Sequence, residues 1–96
     1  MGRPEAAVEA LLFDLVNRAG GMCVKLLPTV TGTPDRLVLL PGGRHYLVEL
    51  KAPAGRLSEA QRYVHRYVVP KGHVVVVLSS RAEVRRWVEG VLDEKA

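Results

Sequence analysis

Asp35, Glu49 and Lys51 are the residues of this sequence with the clearest capacity for chemistry. They stand in one stretch, Gly32-Thr33-Pro34-Asp35-Arg36-Leu37-Val38-Leu39-Leu40-Pro41-Gly42-Gly43-Arg44-His45-Tyr46-Leu47-Val48-Glu49-Leu50-Lys51. Two apolar runs joined by Pro-Gly-Gly predict a β-hairpin, Asp35 to Leu40 and Arg44 to Ala52. A strand serving only a core would not carry Glu49 and Lys51. Side chains alternate along a strand, so these two share one face while Tyr46, Val48 and Leu50 share the other. An antiparallel return brings Asp35 close to both. Its face depends on the loop. A two-residue loop at Gly42-Gly43 pairs Asp35 with Leu50 and turns it away from Glu49. A three-residue loop, Pro41 to Gly43, pairs it with Glu49 on one face, and a bulge serves equally.

Two carboxylates converging from adjacent strands offer hard oxygen ligands suited to Mg²⁺ or Mn²⁺, and the Leu50 carbonyl can add another. Such an ion lowers the pKa of a bound water and stabilises charge growing on a phosphoryl group. Lys51 can orient that water or neutralise the developing charge. The plainer alternative is a half-exposed strand whose Glu and Lys face water.

The elements that must position these residues follow from periodicity. Pro4 to Asn17 places Ala7, Val8, Leu11, Leu12, Leu15 and Val16 on one helical face, and Gly20-Gly21 stops the helix. Met22 to Leu27 reads as a short strand, followed by a loop to Pro34. Ser58-Glu59-Ala60-Gln61 is a capping-box pattern opening a helix to about Val68, and Ser80-Arg81-Ala82-Glu83 repeats it. Between them His73 to Leu78 is mostly valine, which predicts a strand covered on both faces. The last helix aligns Val84, Trp87, Val88, Val91 and Leu92, a stripe that predicts a subunit interface, with ordinary packing on the sheet as the plainer alternative. A crossover from the third strand to the fourth should leave those two parallel, giving an α/β fold with a mixed sheet flanked by helices.

The 96 residues fit one domain, 1–96, and the composition, 48% hydrophobic and 25% charged, is that of a folded chain. So short a chain has a thin margin of burial, which favours self-association. A single cysteine, Cys23, excludes an intramolecular disulfide and a cysteine-rich zinc site. The start lacks the apolar segment of a signal peptide, and no apolar run is long enough to span a bilayer. The expected setting is cytoplasmic. The formal charge of +4 tolerates a polyanionic partner without demanding one.

Pro34-Asp35 followed by Glu49-Leu50-Lys51 resembles the PD-(D/E)XK nuclease signature. The wider text resembles the virus-type replication-repair nuclease (VRR-NUC) domain from about Glu5 to Ser80. The matching positions include Gly20-Gly21, Lys25, Gly32-Thr33-Pro34-Asp35-Arg36-Leu37 and Pro41-Gly42-Gly43. They continue through Val48-Glu49-Leu50-Lys51-Ala52-Pro53, Gly55-Arg56-Leu57-Ser58 and Gln61. The short signature is weakly specific, whereas the extended string is strongly so. The resemblance implies a restriction-endonuclease-like αβββαβ core with a four-stranded sheet, here with an extra C-terminal helix. It implies a metal-dependent phosphodiesterase for structured DNA such as flaps or four-way junctions, and, for a chain made of this domain alone, a phage-like homodimer.

The same resemblance makes Glu9 a third metal ligand beside Asp35 and Glu49, and Gln61 a catalytic residue of the second helix. Gln61 is also the N3 residue of a capping box, so either role accounts for it. Lys25, Arg36, Arg56, Arg62 and His65 are candidate DNA contacts, with Arg44 and Arg66 as further groove arginines. A rival reading is a non-catalytic DNA-binding or assembly module that retains the fold. The intact Asp35, Glu49 and Lys51 argue against it, since carboxylates beside DNA need a metal to offset their charge. A sequence-specific restriction enzyme would need recognition elements for which the chain has no room.

Overall fold

The computed structural model describes residues 4–94. Helix α1 (Pro4–Arg18) leads to strand β1 (Met22–Lys25), then to β2 (Arg36–Leu40) and β3 (Arg44–Leu50). Helix α2 (Glu59–Val68) and a 3₁₀ turn (Val69–Lys71) precede β4 (Val75–Leu78) and helix α3 (Arg81–Asp93). The strands form one sheet in the order β1-β2-β3-β4, antiparallel except for the parallel β3–β4 pair. This is the mixed α/β sheet expected from the sequence, with each strand shorter at one end.

Alternation divides the sheet. Val38, Leu40, Val48, Leu50 and Leu78 point to one face, where they pack with Val8, Leu12 and Val16 of α1 and Val84, Val88 and Val91 of α3. Their burial is the principal apolar contribution to stability. Helix α1 stops at Gly20, which takes φ +83° while Gly20 and Gly21 donate to Asn17 and Val16 carbonyls.

Four of the five stripe residues therefore serve this core, and Leu92 alone of the stripe is exposed. Val84, Val88 and Val91 are buried within the chain, and Trp87 meets Tyr46 edge to face at 5.4 Å. At the other end of α3, Arg44 Nη1 donates to the Val91 carbonyl, so this arginine closes a helix instead of lining a groove. The expected interface is corrected on packing grounds: α1 and α3 lie in one layer, and each supplies cover for the other.

Strand β4 is also not covered on both faces. It is the sheet edge, and Val77 and the preceding Val74 are exposed. Helix α2, on the second face, buries no residue fully. Its Ser58 cap is the expected reciprocal box, with Gln61 N donating to Ser58 Oγ and Ser58 N to Gln61 Oε1. At Ser80 the box is shifted by one residue, since Glu83 Oε1 accepts from Ser79 N.

Glycine is required where the Asp35 loop passes under α2. Gly32 has φ +95°, and a Cβ there would lie 2.3 Å from the Ala60 carbonyl oxygen. Gly32→Ala should cost about 2–4 kcal/mol by chemical denaturation, combining left-handed strain with a backbone clash. An unchanged denaturation midpoint would contradict this placement of the loop.

Candidate active site

The hairpin register fixes the relation of the two carboxylates. Leu40 pairs with Arg44 and Arg36 with Val48, so Pro41, Gly42 and Gly43 form a three-residue loop. Extended by one step, the same register sets Asp35 across from Glu49. Gly42 and Gly43 both take positive φ, which makes this turn accessible.

Asp35 stands just beyond β2, where Pro34 is buried and the strand gives way to loop. Its Oδ1 accepts the Leu50 N–H at 3.3 Å, completing the pairing of β3 with a side chain in place of backbone. An extended residue sends its N–H and C=O to the same side, so the Leu50 carbonyl also faces the Asp35 side. Glu49 is 3% exposed, deep for a carboxylate, and its Oε1 has no hydrogen-bond partner. Burial, followed by the nearby Asp35 carboxylate, pushes the Glu49 pKa up to about 7, against the opposing pull of Lys51. Asp35 is raised as well, chiefly by burial, while its backbone hydrogen bonds and Lys51 act the other way. Lys51 follows on β3, its amide held by the Leu78 carbonyl at 2.9 Å.

Arg36 is buried, in contrast to the exposed DNA contact expected from the sequence. Its guanidinium pairs with Glu9 on one side and approaches Asp35 Oδ2 at 3.3 Å on the other. Arg36 shares the inward face with Val38, so its stem runs under α1 and its head meets the acids there. Glu9 consequently has a cationic partner of its own. Glu5, one turn earlier, contributes to the field felt by Asp35, Arg36 and Glu49. Glu5, Glu9, Lys25, Asp35 and Arg36 together line a cavity of about 180 Å³. Lys25 opposes Arg36 in the register and is exposed at its rim.

Gln61 is engaged in its helix cap, as one of its two expected roles requires. Arg62 donates to the Leu57 carbonyl, and Arg56 and Arg66 are exposed. His65, expected from the sequence as a DNA contact, is turned in toward the sheet. Its Nε2 lies 3.5 Å from Glu49 Oε1, with the imidazole largely enclosed. Burial and then Lys51 lower its pKa, favouring the neutral ring. Sequence spacing offered one clue to this, since His65 follows Gln61 by one helical turn, but its meeting with Glu49 is tertiary.

Among the described residues, no three His, Cys, Asp or Glu side chains already stand together as a metal cage. Glu9 is drawn to Arg36, and Asp35 Oδ1 to the Leu50 amide. The donor set nevertheless fits Mg²⁺ or Mn²⁺. Mg²⁺ is commonly held by one or two carboxylates, with water and substrate phosphate completing its shell. The buried Glu49 carboxylate, raised in pKa by its burial and by the neighbouring Asp35, carries a charge that a cation would offset.

The mixed sheet flanked by helices, with Asp35, Glu49 and Lys51 at neighbouring strand ends, has the architecture of the restriction-endonuclease-like class. A solved structure described as "VRR_NUC domain" superposes with a TM-score of 0.86 at 28% identity, covering 92% of this chain and 97% of that one. The chain is also 38% identical over 78 residues to "Putative nuclease p44" of Acyrthosiphon pisum secondary endosymbiont phage 1, spanning 80% of this chain and 84% of that protein. The chain belongs to the VRR-NUC family of nucleases. No family model matches the sequence. No helix among the described residues is long and apolar enough to cross a membrane.

Proposed function

We propose that the protein is a Mg²⁺- or Mn²⁺-dependent endonuclease that hydrolyses phosphodiester bonds in branched DNA. The observation that carries this reading is the buried Glu49 carboxylate facing Asp35 across the hairpin, with Lys51 beside it. Asp35, Glu49 and the Leu50 carbonyl would hold the ion, with Glu9 joining them on release from Arg36. When bound, the ion supplies Lewis-acid stabilisation and a more acidic water. Lys51 stabilises negative charge on the phosphate as a water oxygen bonds to phosphorus and one ester P–O bond breaks. The products are a phosphate end and a hydroxyl end. Lys25 at the cavity rim and the exposed Arg56, Arg62 and Arg66 would meet phosphates outside the reacting one.

Labelled four-way, flap and linear duplex DNA, each with Mg²⁺, Mn²⁺ or chelator, test the reading. Cutting of branched forms only with metal is expected. Junction binding without cutting in either metal would favour the rival, a non-catalytic DNA-binding module. The unassembled state of the acidic side chains is the one observation on that side.

Paired cuts across a junction need two sites, which a two-fold homodimer supplies. The incompletely covered face is that of α2 and β4, where Tyr63, Tyr67, Val69 and Val77 are exposed. Sedimentation should report about twice 10.5 kDa, and Tyr67→Glu should shift the protein toward monomer. Trp87→Glu should instead lower stability, because Trp87 packs inside the subunit. A parent that stays monomeric at micromolar concentration yet makes paired cuts would sink the dimer.

A further inference from the structure

Two buried polar atoms without hydrogen-bond partners face one another on the second side of the sheet. They are Glu49 Oε1 and His65 Nε2, 3.5 Å apart, on side chains 3% and 13% exposed. Orphaned polar atoms so enclosed are rare and costly, and a facing pair calls for one explanation. The separation lies just outside good hydrogen-bond geometry, so a small movement of either side chain closes it.

The surroundings hold the imidazole there. Gly32 lets the loop before Asp35 run against the Ala60 and Gln61 backbone, which brings the start of α2 over the strand ends. The Ser58 cap fixes that first turn, and His65 projects one turn later. Glu49 cannot swing aside freely, because its strand is paired on both edges, to β2 and to β4. Carboxylates that ligate metals are themselves commonly oriented by hydrogen bonds from neighbouring groups.

We propose that His65 is a positioning residue for Glu49, its Nε2–H donating to Glu49 Oε1 and leaving the second carboxylate oxygen as the ligand for a divalent cation. The inference rests on reading Asp35 and Glu49 as a metal site. It assigns His65 no contact with the cation and none with DNA. The imidazole can carry hydrogen at Nε2 whether neutral or charged, so the donor role does not depend on a particular protonation state.

The test is Mn²⁺ binding to the DNA-free protein by calorimetry, with pulsed electron paramagnetic resonance of the bound ion. His65→Ala should weaken Mn²⁺ binding by about 10–100-fold. His65→Gln, which returns an N–H near the same place, should recover most of the loss. The bound Mn²⁺ in the parent should show no directly coordinated nitrogen. Thermal midpoints measured alongside separate lost positioning from lost folding. Unchanged binding in His65→Ala, or a Gln variant as weak as Ala with an intact fold, would overturn the proposal. A directly coordinated nitrogen would overturn it too, making His65 a ligand. Parent binding that is absent, or indifferent to Asp35→Asn, would remove the metal site itself and this inference with it. Metal binding that depends on Asp35 and His65 without any DNA cleavage would leave the inference standing and defeat the nuclease reading alone.

Discussion

Glu49→Gln is expected to abolish cutting and, in the metal-free protein at pH 8, to raise stability. Both effects come from one feature, a carboxylate kept from water before any cation offsets its charge. The Glu49 pKa is raised from 4.5 to about 7 by burial and then by Asp35. Between those values the native state holds a proton that the unfolded chain has released. Stability therefore falls as pH rises through about 7, and the full cost remains above it. The shift corresponds to about 3 kcal/mol, on the order of 10–20 °C in the thermal midpoint of so small a domain. Glutamine cannot ionise, so most of the gain over the parent should vanish by pH 5. Added Mn²⁺ should raise the parent's midpoint at pH 8 and leave that of Glu49→Gln almost unmoved. Thermal melts of both proteins at pH 5 and 8, with and without Mn²⁺, check the prediction. A variant less stable than the parent at pH 8 would show that the carboxylate is better satisfied than its burial indicates.

Lys51→Ala should lower kcat by roughly 10²–10³-fold with little change in KM. The ammonium stands where Asp35 and Glu49 both feel it, so removing it also lets their pKa values rise further. In the proposed reaction its catalytic worth would lie in meeting charge that grows only as the phosphate reacts. Lys51→Arg should recover only part of the rate, because guanidinium is broader and differently hydrated. Steady-state kinetics on a branched substrate decide this. Parent activity in the arginine variant would leave only a requirement for positive charge.

The hairpin was legible because its chemistry and its geometry share one short stretch. Alternation placed Glu49 and Lys51 together, and only the loop length stood between Asp35 and the same group. The sequence left the loop open, and the Leu40–Arg44 pairing closed it. The Ser58 box was legible for the same local reason, since residues three apart make both of its bonds.

The rest depended on tertiary neighbours. A run of valines looks alike at a buried strand and at a sheet edge, so β4 was expected to be more covered than it is. The α3 stripe has the pattern of a surplus face, and its packing with α1 in one layer makes most of it core. Arg36 resembled a phosphate-binding side chain, but its register faces it inward toward Glu9. His65 carried no signal beyond its helical turn, because its partner arrives from a different strand.

The central claim is that Asp35 and Glu49 converge to hold a cation that cuts DNA. Single-turnover cleavage of a labelled four-way junction in Mg²⁺, by the parent and by Asp35→Asn, tests it most directly when junction binding is measured beside it. Asparagine keeps the side-chain shape and an oxygen for the Leu50 amide while removing the ligand charge. The expected result is parent cutting that chelator stops, and a variant that binds the junction as tightly or tighter without cutting. Cleavage by Asp35→Asn at the parent rate, or parent cutting that persists in chelator, would contradict the account.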